Sequence, residues 1–133
     1  MNRAVVVEDF EPLAKVWKSM LLELGFDAVN CYTCATSYLV GEQESALPSL
    51  VLLDINLKNN TNGIDLARDI RKGNSHSKIV FVSMHHDDYY IEQCKPLGIS
   101  GFISKSMPRD LIQMGLESVM HAHDEFLDLR PVF

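Results

Sequence analysis

No apolar run in this chain approaches the roughly 18 residues of a membrane span, which excludes a lipid-buried helix as its organising element. Basic charge is scarce: 12 Lys+Arg stand against 18 Asp+Glu, a formal net charge of -6. That balance offers no electrostatic footprint for nucleic acid, so direct DNA binding by this chain alone is not expected. Cysteine is limited to Cys31, Cys34 and Cys94, and three residues without paired spacing exclude a small disulfide scaffold. Repeats and low-complexity runs are absent too, which removes solenoid and linker architectures. The N-terminus turns acidic too early for a secretory signal, and a cytoplasmic location is expected.

What the chain does have is 133 residues with 47% hydrophobic content, enough for one domain around one core. Apolar runs at Ala4–Val7, Phe26–Cys31, Leu50–Leu53, Lys78–Val82 and Gly101–Ser104 predict five strands. Between them, helical spacing predicts helices over about 10–24, 34–41, 64–70, 87–95 and 107–121. In the first, Leu13, Val16, Trp17, Met20, Leu21 and Leu24 recur at intervals of three and four, and Gly25 supplies a stop. Asp9 ahead of Pro12 and Ser106 ahead of the last helix are candidate N-caps. Residues 1–123 are expected to form the domain and 124–133 a short tail. Five near-continuous apolar strands alternating with five helices specify an α/β fold, a doubly wound parallel sheet covered on both faces.

The charged residues fall in one place on that scheme. Glu8 and Asp9 follow the first strand, Asp54 the third and Lys105 the fifth, while Ser83 ends the fourth. In open parallel sheets the ligand site lies at the carboxyl ends of the strands. Carboxylates, a hydroxyl and an ammonium gathered there can hold a divalent metal and a phosphoryl group. Three carboxylates repel one another unless a hard cation intervenes, and Mg2+ is the expected ion.

With Val-Val-Val-Glu8-Asp9, Val-Leu-Leu-Asp54-Ile-Asn56-Leu, Phe-Val-Ser83 and Gly-Phe102-Ile-Ser-Lys105 in that order, the chain resembles the response-regulator receiver domains of two-component signalling over about residues 3–121. The resemblance implies a flavodoxin-like sheet of order 2-1-3-4-5, an order the handful of motifs alone does not dictate. It implies that Asp54 is the phosphoacceptor, and that Asp9, Glu8 and the Asn56 backbone carbonyl hold Mg2+ together with Asp54. Lys105 would pair with a phosphoryl oxygen; Ser83 and Phe102 would be the switch pair; Asn56 and His85 would tune the lifetime of the acyl phosphate. The implied partners are a sensor histidine kinase or phosphotransfer protein and a downstream protein or output domain. The face built from the fourth and fifth helices and the fifth strand would signal, with a homodimer as one use of it.

The chain departs from the commonest receiver pattern in its Glu-Asp pair and in Lys105-Ser106-Met107-Pro108, a form similar to receivers that precede helix-turn-helix output domains. Neither departure removes a required chemical group. The resemblance leaves open a stand-alone receiver or a part of a longer regulator. Two other classes remain as alternatives. One is a pseudo-receiver that binds partners without phosphorylation, against which the complete acidic set counts. The other is a thiol oxidoreductase built on Cys31-Tyr32-Thr33-Cys34, whose plainer reading is two small residues in a strand-to-helix turn. His85-His86-Asp87-Asp88 and His121-x-His123-Asp124 suggest a transition-metal site only if a second matching cluster exists.

Overall fold

In a computed structural model, residues 2–43, 46–57, 62–73, 76–84, 88–122 and 125–131 are described. The expected alternation is present as β1 (Arg3–Val7), α1 (Glu11–Glu23), β2 (Ala28–Tyr32), α2 (Ala35–Gly41), β3 (Leu50–Asp54), α3 (Gly63–Gly73), β4 (Lys78–Ser83), α4 (Asp88–Cys94), β5 (Gly101–Ser104) and α5 (Arg109–His121). A 3₁₀ turn at Lys95–Leu97 closes α4 where Pro96 prevents further helix, and Gly98 follows it at φ 68. The sheet departs from expectation in having six strands. Leu127–Leu129, inside the expected tail, forms β6, and the order is β2-β1-β3-β4-β5-β6, with every pairing parallel.

Alternation along the strands divides the interior in two. Val5, Val7, Val51, Leu53, Ile79, Phe81 and Phe102 face α2, α3 and α4 through Tyr38, Ile64, Leu66, Ile70 and Ile91. Ala4, Val6, Leu50, Leu52, Val80, Val82 and Ile103 face α1 and α5 through Trp17, Met20, Leu21, Ile112, Leu116 and Val119. Because side chains alternate across the sheet, both sets must be apolar, which is why the strands read as unbroken hydrophobic runs.

Two expected caps are corrected. Phe10, not Asp9, is the N-cap of α1, and the Phe10 N–H is taken by the Glu8 carboxylate (3.3 Å), which leaves Asp9 to the acidic cluster. Pro108, not Ser106, precedes α5; the Ser106 N–H donates to Ser104 Oγ (3.2 Å) and so turns the chain before the helix starts. Gly25, at φ 108, does end α1 as expected.

Candidate functional site

Strand order carries the charged side chains to one edge. β1 and β3 are neighbours and both run in the same direction, so Glu8, Asp9 and Asp54 emerge together. Oxygens of these three carboxylates lie within 4.8 Å of one another, the one such acidic, His or Cys group among the described residues. Lys105, just past β5, reaches back over the edge: its Nζ lies 2.9 Å from Glu8 Oε1 and 2.9 Å from Asp54 Oδ2.

Each carboxylate sits in a different environment. Glu8 is wholly buried, and besides Lys105 it accepts a hydrogen bond from the Trp17 indole N–H (3.2 Å) on Oε1 and from Phe10 N–H on Oε2. Asp54 is 3% exposed; the Asn56 N–H donates to its Oδ1 at 3.1 Å. Asp9 is half-buried. Partial burial and then the hydrogen bond and charge of Glu8 hold its carboxyl above the usual carboxylate range, while Lys105 opposes the shift. For Lys105, burial pulls the ammonium down, but the hydrogen bonds it donates to Asp54 and Glu8, with the charges of those carboxylates, outweigh burial and the net shift is upward.

This arrangement leaves three carboxylates against one ammonium, a negative excess that one divalent cation would cancel. All the donors are oxygens, which suits a hard ion. Both oxygens of Glu8 and both of Asp54 already accept protein donors, so the half-buried Asp9 is the carboxylate most open to an incoming ion.

Ser83 is fully buried at the end of β4, between β3 and β5; its carbonyl accepts the Lys105 N–H at 2.8 Å. Phe102 is fully buried in β5, paired in register with Phe81. Asn56 is exposed and forms an isolated bridge with Asn62. His85 lies outside the described residues, as do His86, Asp87, His123 and Asp124. Cys31 is an exposed residue of β2, and Cys34 precedes α2 with its N–H donating to Ser37 Oγ (3.4 Å); Ser37 also lowers the Cys34 thiol pKa. Only Cys34 thus occupies the strand-to-helix turn; Cys31 belongs to the strand, paired in register with Val6.

Sequence reading missed two participants. Helical spacing places Trp17 on the apolar face of α1 and says nothing of its N–H, which holds Glu8. Gly63 opens α3 directly behind β3: a Cβ there would collide with the Asp54 carbonyl oxygen, and its N–H donates to Ile55 O (2.6 Å). Only glycine lets α3 start this close behind the carboxylate. The Asn62-Gly63 pair after Asp54 was the available signal.

The sequence matches the response regulator receiver domain family over residues 4–116. Among curated proteins it is similar to the transcriptional regulatory protein ComA of Bacillus subtilis strain 168, 25% identical over 91% of this chain and 57% of that one. It is also similar to the DNA-binding transcriptional activator EvgA of Escherichia coli K12, 24% identical over 92% of this chain and 59% of that one. The chain thus spans less than two thirds of the length of these relatives. Among solved structures, the non-phosphorylated HemR receiver domain of Leptospira biflexa superposes with a TM-score of 0.83 at 25% identity, covering 100% of both chains. A LuxR-family DNA-binding response regulator of Staphylococcus aureus gives 0.79 at 17% identity over 91% of this chain and 100% of that one, which supports the fold.

Proposed function

The chain belongs to the response-regulator receiver family, and on that premise we propose that it is a phosphorylation-controlled switch with Asp54 as phosphoacceptor. The observation that carries this reading is Lys105 Nζ lying 2.9 Å from both Glu8 and Asp54. An Asp54 carboxylate oxygen attacks the phosphorus of a phosphohistidine on a sensor kinase or phosphotransfer protein. The P–N bond breaks, the imidazole leaves, and an acyl phosphate forms. Asn56 N–H on Oδ1 fixes the carboxylate plane, while Lys105 on Oδ2 lies where negative charge grows as the phosphoryl group arrives. Asp9 and Asp54 with the Asn56 carbonyl, and Glu8 through water, would hold Mg2+, which would supply charge neutralisation for the incoming phosphoryl oxygens.

Ser83 and Phe102 then carry the change to the face of α4, β5 and α5. The hydroxyl turns to a phosphoryl oxygen and Phe102 repacks, a population shift driven by contacts that exist only in the modified state. Water returns the chain to its resting state at a rate set by Asn56 and His85. In this reading the chain catalyses only its own phosphorylation and hydrolysis, works in the cytoplasm, and controls a downstream protein or an output domain. Among the described residues no helix is long and apolar enough to cross a membrane.

Borohydride reduces an aspartyl phosphate to homoserine, so reduction followed by peptide mass spectrometry tests the assignment. The account predicts homoserine at position 54 after treatment with a phosphodonor. Homoserine at any other carboxylate, or none, would overturn it.

A further inference from the structure

The segment 125–131 is built into the face just assigned to signalling. It adds β6 to the edge of β5 in the register Gly101↔Leu127, Phe102↔Asp128, Ile103↔Leu129, and the Leu127 N–H donates to Ser100 O at 3.0 Å. Two glycines make room for it. A Cβ on Gly101 would lie 3.1 Å from Leu127 Cβ, and one on Gly115 of α5 would lie 3.0 Å from Leu127 Cδ2 and 3.3 Å from Leu129 Cδ2. Leu127 and Leu129 thus enter slots floored by a strand glycine and a helix glycine. Arg130 completes the grip: it bonds Asp88 at the start of α4 (2.9 Å) and forks onto Asp128 through Nε and Nη2 (2.7 Å each). Lys95 stacks over the Phe126 ring, 5.7 Å from its centroid.

This is the anatomy of a peptide held by strand addition: backbone pairing on a sheet edge, alternate side chains in pockets, and one charge anchor. We propose that the β5 edge between α4 and α5 is a docking groove for an extended Leu-x-Leu-Arg segment, held here by residues 125–131 as a tethered ligand that keeps the face closed. Its short length and exposure fit a displaceable occupant. The strand has three residues, none of residues 125–131 is fully buried, and Pro131 offers no N–H to extend the ladder. β3, by contrast, is buried along its whole length. Leu111, one turn before Gly115 on α5, and Tyr89, next to the Asp88 anchor on α4, are both exposed apolar surface.

The closing of the signalling face rests on the proposed function, but groove occupancy does not, and the test needs no phosphoryl group. A fluorescent peptide Glu-Phe-Leu-Asp-Leu-Arg-Pro is titrated into the full chain and into its Leu127→Asp/Leu129→Asp variant, with Trp17 fluorescence and circular dichroism checking that the variant is folded. The peptide is expected to bind the variant at least about tenfold more tightly than the native chain, whose groove is filled. A peptide with Glu in place of Arg should lose that advantage. Equal binding to both chains, or binding to neither, overturns the proposal. Should the variant not fold, hydrogen exchange on the native chain decides: the Leu127 and Leu129 amides are expected to exchange at least about a hundredfold faster than those of Leu50–Asp54. Equal protection of the two strands means the segment is a fixed part of the sheet.

Discussion

Lys105 carries its charge between two carboxylates, Glu8 and Asp54, that are almost wholly removed from water. Taking away one partner of such a buried set leaves the others uncompensated, a loss of about 3–5 kcal/mol. Lys105→Met is therefore expected to lower metal-free stability by about 3 kcal/mol in chemical denaturation at neutral pH. The sign with pH follows from the raised Lys105 pKa: its contribution is complete below the ordinary lysine value and is lost as pH rises through the higher folded value. Asp9 works in the opposite direction. Its carboxyl is held above the ordinary value, so ionising it costs stability as pH rises through the carboxylate range. Asp9→Asn should raise the metal-free melting temperature at neutral pH by about 1–3 °C, and an unchanged or lower value would contradict the crowding described here. Glu8, Asp9, Asp54 and Lys105 were legible in the sequence because charged residues abruptly end apolar runs. The Trp17 bond to Glu8 was not, because an indole on the buried face of a helix reads as core whether or not its N–H has a partner.

The elements that place these residues differ in how far sequence pattern determines them. β1, β3, β4 and β5 are near-continuous apolar runs buried on both faces, and their positions follow from the order of apolar residues along the chain. β6 has no such signature. Leu127-Asp128-Leu129 is three residues of alternation before Arg and Pro, and it becomes a strand because β5 offers an edge and Gly101 and Gly115 leave space. The strand is a product of tertiary context, and no local pattern anticipates it. The α3 start is another long-range fit, since Gly63 matters for the backbone behind it in β3. Gly63→Ala is expected to cost about 3 kcal/mol, the upper part of the range for overpacking, because the obstructing Asp54 carbonyl is backbone and cannot step aside. Urea denaturation measures it, and a loss below about 0.5 kcal/mol would show that α3 can shift without strain.

At the scale of the molecule, the sheet carries its acidic cluster at the carboxyl ends of the strands and a more basic cavity of about 430 Å³ at the other end. That cavity is lined by Arg71, Lys78, Lys95 and Phe126, and two of its cations serve the fold. Arg71 donates to the carbonyls of Ser77 (2.8 Å) and Leu97 (2.9 Å), and Lys78 to those of Val119 (2.5 Å) and Ala122 (2.8 Å) at the end of α5. On the proposed function the chemistry belongs to the acidic end, where repulsion among carboxylates in the resting fold would be relieved by a cation. Mg2+ at a hundredfold excess over its dissociation constant should then add about 2.7 kcal/mol of stability, and much less in Asp9→Asn. The central claim is tested most directly by intact mass, with Trp17 fluorescence as a second readout, after a small phosphodonor is added with and without Mg2+ to the native chain and to Asp54→Ala. The account predicts a gain of one phosphoryl group in the native chain that requires Mg2+, disappears in the variant and is accompanied by a fluorescence change through the Trp17 bond to Glu8. A gain that persists in Asp54→Ala, or no gain under any condition, would contradict it.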